Sequence, residues 1–467
     1  MKFISQCTNL EKNIDSILTD GQTTFLYKDF PDAFKKIEQW FLKKSILENE
    51  CLAVECENSI PSALFLLFLL ENEYNFFVFP KGYEKRIPAF CRYIITIEST
   101  TDFILIPNDK WHDSAQISIE KGKLYLKTSG STGEPKIAVI PHSGLQVNAR
   151  ITSERLLLTS SDRIALPVPI YHSYGLTTAF LSAIAAGSSI DLQKGANLLR
   201  YLKREREFNP NVAFMTPIFC ETLAKGRRDE RQYRLTVAAG DRFRGDVFSR
   251  YESLSGCLVN LYGSTEMNAI AAGNPNDPSN IRCQYVGKPM QGIQIRIEET
   301  KNNSPQELWC YNPFGFEGYV DNNGRRISLG DDYKEGWFRI KDLGQISSDG
   351  YIQVLGRSDH SVNRDGLLVF FADIEKAMGT ISGIESVVIV SKGETERGKG
   401  LTAFCVPAKD LNITAEIIRS SCFKILPKNS VPDKIILIDS LPMLPNGKID
   451  RQKLNHSFLH NGESSSK

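Results

Sequence analysis

Charge of one sign is missing from this sequence: 56 basic residues face 55 acidic ones, for a formal net charge of +1. No block of like charge is long enough to form a nucleic-acid stripe or a polybasic membrane anchor, so neither partner is expected. Metal-binding cysteine patterns are missing too. The ten cysteines run from Cys7 to Cys422 with no Cys-x-x-Cys pair and no His-flanked cluster, which excludes the common zinc spacings and reads as reduced thiols in a cytoplasmic protein. Met1 to Asn13 has no basic segment followed by an apolar run, so a cleaved secretory signal is not expected. The longest apolar stretch, Ile60 to Leu70, falls short of the roughly 20 residues a membrane span needs and reads instead as a buried helix. No internal repeat at a solenoid period occurs.

What is present points to a folded chain of more than one domain. With 467 residues it exceeds the roughly 250 to 300 at which single cores stop growing. Its 41% hydrophobic and 24% charged residues are ordinary for a globular protein. Phe30, Phe34, Ile37, Trp40 and Phe41 recur at helical spacing within Tyr27 to Leu47. A strand at Cys51 to Val54, a buried helix at Ser59 to Leu70 and a strand at Asn75 to Phe79 follow. Strand-like runs at Asn209 to Thr216 and Arg234 to Ala239, each before a plausible helix, continue the alternation through Leu261, which predicts a layered α/β region. Near Asp359 the texture changes to a polar connector reaching Gly366. Beyond it comes a block with its own alternation and strands at Val387 to Val390 and Leu401 to Val406. The expected division is an N-terminal α/β domain over 1–357, a hinge over 358–363, a small α+β domain over 364–460 and a frayed polar tail over 461–467.

Four clusters carry chemistry. The first is Thr128, Ser129, Gly130, Ser131, Thr132, Gly133, Glu134, Pro135 and Lys136, directly after the strand-like Lys123 to Leu126. Small residues let backbone amides approach phosphate oxygens, hydroxyls add donors, and the lysine adds a compact positive charge. The alternative is a Ser/Gly turn between strands. It is not the triphosphatase loop; Gly393 to Lys399 has that spacing, but Gly400 replaces the required hydroxyl, so a surface turn is expected there. The second cluster is Tyr262, Gly263, Ser264, Thr265 and Glu266: a ring to stack on a base, hydroxyls for phosphate, and a carboxylate for magnesium, or else a strand-end turn. The third joins Gly336 to Leu343 with Gly356 to Asp359. Here Asp342 can take ribose hydroxyls and Arg357 ribose or phosphate, or the pair can make a salt bridge on a solvated hairpin. The fourth is Asn446 to Arg451, where Lys448 is either delivered by domain movement or an ordinary exposed lysine.

In this order and spacing the clusters resemble the adenylate-forming superfamily of acyl-CoA synthetases, peptide-synthetase adenylation domains and luciferases. The resemblance covers about Tyr125 to Leu454 and includes the phrases Val286-Gly287-Lys288-Pro289, Glu317-Gly318-Tyr319 and Leu441-Pro442. It implies a large N-terminal α/β domain and a small mobile α+β C-terminal domain that rotates about a hinge at Asp359. It also implies ATP and Mg2+ as reactants in acyl-AMP formation with loss of pyrophosphate, then acyl transfer to CoA or to the phosphopantetheine of an acyl or peptidyl carrier protein. By position, Thr128 to Lys136 would hold the ATP phosphates, Tyr262 would flank adenine, Gly263 and Ser264 would line the nucleotide site, and Thr265 would contact the α-phosphate. Glu266 would bind the metal, Asp342 the ribose, Arg357 ribose or phosphate, and Lys448 would bridge carboxylate and phosphate. The sequence departs from the family at Ile340-Lys341, where Thr-Gly is usual, at Asn363 in place of a lysine, and at Phe371 in place of a proline. These departures bear on the second half-reaction more than the first. The resemblance leaves open a nucleotide-binding protein of this fold with no turnover.

Pro169 to Leu176 resembles the acid-side motif of acyl and aryl CoA ligases. No aspartate stands there to pair with a substrate ammonium, so a standard α-amino acid is disfavoured. His172 is either a gate beside the carboxylate or a packed aromatic neighbour. Tyr171, Phe214, Ala238, Ala239, Gly240 and Met267 would line the pocket by position, with Asp241 and Arg242 adding charge nearby, so a polar or aromatic carboxylic acid fits as well as a fatty one.

Overall fold

The structure, a computed structural model, describes residues 15–82, 87–112, 120–128, 136–195, 197–241, 243, 245–297, 306–364, 367–395, 398–408, 413–443 and 449–456. Its contacts divide the chain into two compact units. The first runs to Arg296 and adds Trp309–Ile340 and Gln345–Val354; the second takes Ile297–Leu308, Lys341–Gly344 and the chain from Leu355 onward.

Two sheets make the frame of the first unit. β1 (Ile17–Thr19) and β2 (Thr24–Leu26) form the edge of one. The other starts with β3 (Cys51–Cys56), β4 (Asn75–Pro80), β5 (Cys91–Ile97), β6 (Phe103–Pro107), β7 (Lys123–Lys127) and β8 (Ile137–Pro141). The chain then returns to the first sheet through β9 (Arg163–Leu166), β10 (Ser189–Leu192), β11 (Val212–Met215), β12 (Tyr233–Ala239), β13 (Gly256–Ser264), β14 (Asn268–Ala272) and β15 (Lys288–Pro289), in the spatial order β15-β14-β13-β12-β11-β9-β10-β1-β2. After β16 (Gln294–Ile297) and β17 (Gln306–Tyr311), β18 (Gly318–Val320) and β19 (Arg326–Ile327) come back to β8, giving the second order β19-β18-β8-β7-β4-β3-β5-β6.

Sequence chemistry accounts for these elements. β3 and β4 pair in parallel, which requires a crossover, and the helix Ile60–Glu71 supplies it. Ser59 caps that helix by accepting from the Ser62 N–H, Pro61 sits in its first turn, and its apolar residues are buried all round, as the sequence led us to expect. The helix Phe30–Lys44 buries only Phe30, Ala33, Phe34, Ile37 and Phe41, and ends where Ser45 turns left-handed at φ 53°. Among the described residues no helix is long and apolar enough to cross a membrane.

The chain continues through β20 (Tyr333–Lys334), β21 (Trp337–Ile346) and β22 (Ile352–Arg357). The second unit then builds its own sheet from β23 (Ser361–Arg364), β24 (Leu367–Phe370), β25 (Ile384–Thr395), β26 (Gly398–Pro407) and β27 (Lys434–Leu437), ordered β24-β23-β26-β25 with β27 also on β26. Its core includes Val362, Phe371, Ile374, Met378, Ile389, Leu401, Ile418 and Cys422. The segment over 358–363, read from sequence as a polar connector, is a short 3-10 turn, Ser358–His360, followed at once by β23 paired to β24. Directly after it, Arg364 is fully buried and donates to Asp433 Oδ1 at 2.8 Å, while Asp433 Oδ2 accepts from the Leu401 N–H. Of the Gly393 to Lys399 stretch, Gly393 to Thr395 end β25 and Gly398 and Lys399 open β26, with Thr395 in register with Gly398, while 396–397 lie outside the described residues.

Candidate active site

Antiparallel pairing brings the ends of the expected phosphate loop together. Lys127 pairs with Ile137, and beyond that pair the Thr128 N–H and hydroxyl both donate to the Lys136 carbonyl, at 2.9 and 3.1 Å. Ser129, Gly130, Ser131, Thr132 and Gly133 lie outside the described residues. Lys136 is half-buried, its ammonium 5.2 Å from the centre of the Tyr319 ring.

Tyr262, Gly263 and Ser264 belong to β13 itself, so the turn proper begins at Thr265. Pairing to β14 shifts register between Tyr262 and Gly263. A Cβ on Gly263 would stand 2.2 Å from the Asn268 carbonyl oxygen, which is why glycine is needed there. Thr265 and Glu266 consequently sit on a tight reversal at the carboxyl end of a parallel strand, where open α/β sheets keep their ligands. The turn is braced from several sides. Met267 N–H donates to Ser264 Oγ at 3.1 Å, Asn312 Nδ2 to the Met267 carbonyl at 2.7 Å, and Phe316 N–H to the Glu266 carbonyl at 2.7 Å. Tyr319 donates its hydroxyl to Glu266 Oε1 at 2.6 Å. On the far side Asn148 accepts from the Ala269 N–H and donates to the Thr177 carbonyl, both at 3.1 Å.

The acid-side segment is positioned by a residue far upstream. Asn58, buried between β3 and its helix, donates through Nδ2 toward the carbonyls of Leu166, Val168 and Gln193 and accepts from the Ile170 N–H at 2.9 Å. Its four contacts fix the chain just before Tyr171 and His172, whose rings touch with centroids 4.7 Å apart. The helix that follows is wide, a π-helix over Tyr174–Phe180, a form frequent at functional sites. A Cβ on Gly175 would fall 1.9 Å from the Pro169 carbonyl oxygen, so only glycine lets the segment fold back on itself. The Tyr174 hydroxyl reaches the Val237 and Met215 carbonyls, at 2.9 and 3.2 Å, bridging β12 and β11. Burial pushes the phenols of Tyr171 and Tyr174 up, keeping both protonated at neutral pH. Phe214, then Ala238 and Ala239 with Gly240 at φ 99°, and Met267 stand near the carboxyl ends of the adjacent strands β11, β12 and β13. Asp241 is exposed next to them, and Arg242 lies outside the described residues.

The second unit holds the remaining candidates. Asp342, on β21, is buried, and Arg357, at the end of β22, comes within 3.8 Å of it. That geometry fits the salt-bridge alternative as well as a shared ligand. Lys341, beside Asp342, takes φ 67° without being glycine. Asp359 lies in the 3-10 turn. Lys448 lies outside the described residues, but its flanks are tied: Met443 bridges Ile449, Asp450 N–H donates to the Pro442 carbonyl at 2.8 Å, and Arg451 makes two bonds to the Glu375 carboxylate, at 2.7 and 3.0 Å.

Asn58, Asn148, Asn312, Tyr174 and Tyr319 were not given site roles from sequence. Two of them had a signal: Tyr174 lies within the Pro169 to Leu176 motif, and Tyr319 is the last residue of the Glu317-Gly318-Tyr319 phrase. An asparagine that bonds only backbone leaves no local pattern.

Comparison with known proteins gives the family and the fold. The family described as AMP-binding enzyme matches residues 123–320, and its C-terminal domain matches 373–448, together more than half of the chain. A putative acyl-CoA ligase YdaB of Bacillus subtilis is 23% identical over 485 residues, covering 94% of this chain and 95% of that one. Gramicidin S synthase 2 of Brevibacillus brevis is 23% identical across 97% of this chain, which spans 11% of that protein. Among solved structures, an o-succinylbenzoate coenzyme A synthetase of Bacillus subtilis, in complex with ATP and magnesium, shares the fold with a TM-score of 0.80 at 17% identity, over 97% of this chain and 99% of that one.

Proposed function

The chain belongs to the adenylate-forming superfamily of AMP-binding enzymes and is an AMP-forming acid-thiol ligase, and from that premise we propose that it activates a small-molecule carboxylic acid with ATP and passes the acyl group to CoA. The observation that carries the reading is the meeting of two separately expected motifs: Lys136 from the loop base and Glu266 from the β13–β14 turn both engage Tyr319.

In the first step a carboxylate oxygen attacks the α-phosphorus of ATP, the bond to pyrophosphate breaks, and acyl-AMP forms. Two anions must approach, so fixed positive charge and orientation supply most of the gain. Lys136 and the loop that it closes hold the phosphates, Thr265 contacts the α-phosphate, Tyr262 flanks adenine, Asp342 and Arg357 serve the ribose, and Lys448 bridges carboxylate and phosphate. His172 with Tyr171 gates the acid, which lies against Phe214, Ala238, Ala239, Gly240 and Met267. In the second step the thiol sulfur attacks the acyl carbon, its proton is lost and AMP leaves, after a turn about Asp359 between the domains proposed at 1–357 and 364–460.

Glu266 fits magnesium. It offers one hard carboxylate, and among the described residues no group of three or more His, Cys, Asp or Glu could cage a metal, which suits an ion that completes its shell with substrate phosphates and water. When bound, that ion would neutralise phosphate charge. The nine described cysteines are free thiols, which supports a cytoplasmic setting.

Acid-dependent exchange of labelled pyrophosphate into ATP, over a panel of aryl, polar, fatty and amino acids, tests the reading. Exchange with a polar or aromatic acid is expected, and none with α-amino acids. Folded protein giving no exchange with any acid would favour the second reading, a nucleotide-binding protein with no turnover. An acyl-AMP passed to a carrier protein and not to CoA would change the acceptor alone.

A further inference from the structure

Resting on that reading, we propose that Tyr319 is the positioning residue of the metal and phosphate site, its hydroxyl setting the Glu266 carboxylate and its ring seating the Lys136 ammonium.

The two partners come from different elements. Lys136 immediately precedes β8, and Tyr319 lies on β18, which pairs antiparallel with β8 so that Tyr319 stands opposite Ala138. Glu266 comes from the other sheet's β13–β14 turn. Tyr319 is therefore the side chain through which strand β18 reaches both, by a 2.6 Å charge-assisted hydrogen bond to Glu266 Oε1 and by its ring 5.2 Å from Lys136 Nζ.

The tyrosine is itself held. Phe316 packs edge-on at 5.0 Å from its ring, and the Phe316 N–H bonds the Glu266 carbonyl at 2.7 Å. Glu266 is consequently fixed at both its backbone and its carboxylate by one short segment. Glu317 N–H donates to the Val139 carbonyl at 2.8 Å, and the Glu317 carboxylate pairs with Lys123, so that segment cannot slide along β8.

With Oε1 taken by the phenol, a carboxylate keeps lone pairs for a metal and loses rotational freedom before the metal arrives. Partners that orient a metal ligand in this way typically change affinity by about 10- to 100-fold when removed. The ring does a different job. It gives the ammonium an aromatic seat beside the loop base. The two jobs separate by substitution: Tyr319→Phe keeps the ring and loses the hydroxyl, and Tyr319→Leu loses both.

The test uses the full chain, Mn2+ as a spectroscopic stand-in for magnesium, and ATP without any acid, so that no turnover is needed. Electron paramagnetic resonance of free Mn2+ reads metal affinity, and equilibrium dialysis of ATP at saturating Mn2+ reads nucleotide affinity. Tyr319→Phe is expected to weaken Mn2+ binding about tenfold and to leave ATP affinity within about twofold, with an unchanged thermal midpoint. Tyr319→Leu is expected to weaken both. Wild-type Mn2+ affinity in both variants, or equal losses of both ligands together with a lowered midpoint in each, would overturn the assignment and leave a packing tyrosine. If the unaltered protein binds no Mn2+ and ATP, the nucleotide reading falls, and this inference with it.

Discussion

At the scale of single residues, the departure at Ile340-Lys341 has a backbone consequence. Lys341 holds φ 67°, a conformation that costs an L-residue about 1–2 kcal/mol and glycine almost nothing. A glycine at this point would suit the backbone, and the lysine is accommodated under strain. Lys341→Gly should therefore stabilise the protein, with the relief partly offset by the extra freedom of glycine in the unfolded chain, leaving roughly 0.5 kcal/mol. Lys341→Ala keeps the strain and should gain nothing. Urea midpoints of the two variants against the parent decide the matter; an alanine variant as stable as the glycine one would show that the backbone is not the cause.

At the scale of elements, the joint between β8 and the helix His142–Arg155 contains a buried histidine. His142 opens that helix, lies 5% exposed against Phe76, and has its pKa lowered to about 3, chiefly by burial and further by the Lys123 charge. In the folded state it stays neutral well below the ordinary value of 6.5, while in the unfolded chain it takes a proton as pH falls through 6.5. Protons then favour the unfolded state. This contribution to stability is complete above about pH 6.5 and is lost as pH falls from there toward 3, by up to ~1.4 kcal/mol per pH unit. His142→Phe removes the proton site, so whatever its packing cost at pH 8, the gap between variant and parent should move in the variant's favour between pH 6.5 and 4.5. A gap that stays constant across that range would mean the histidine is not the group that titrates. Elements like this one were only partly legible in the sequence. The alternation of Cys51 to Phe79 gave strand, helix and strand within two residues of their observed bounds, because buried parallel strands and their crossover helix need continuous apolar runs. The roles of Asn58 and Asn148 were not legible, since both act on backbone more than a hundred residues away, through pairings that exist only once the sheets have formed.

At the scale of the whole molecule, the chain divides into two compact units, and a turn between them from one half-reaction to the next is proposed at Asp359. The sequence marks the polar run from Ser358 to Asn363 as the connector; the chain there opens with a 3-10 turn of three residues, Ser358–His360, between β22 and β23. The free length is therefore short, bounded after the turn by the Ser361–Phe370 pair and the buried Arg364–Asp433 bond. A short pivot between anchored strands concentrates the rotation on very few dihedrals, so it should be sensitive to one substitution. Proline at 359 fixes its own φ and also pushes Ser358 away from the helical region that the turn requires. Asp359→Pro should leave acyl-AMP formation from acid and ATP largely intact while slowing transfer to the thiol at least about tenfold, the size of effect that gating motions carry. The two steps are measured separately, pyrophosphate exchange for the first and thioester formation from supplied acyl-AMP for the second, on protein whose thermal midpoint matches the parent. Loss of both steps in proportion, with a lowered midpoint, would make Asp359 a structural turn residue, and undiminished transfer would move the pivot elsewhere along 358–363.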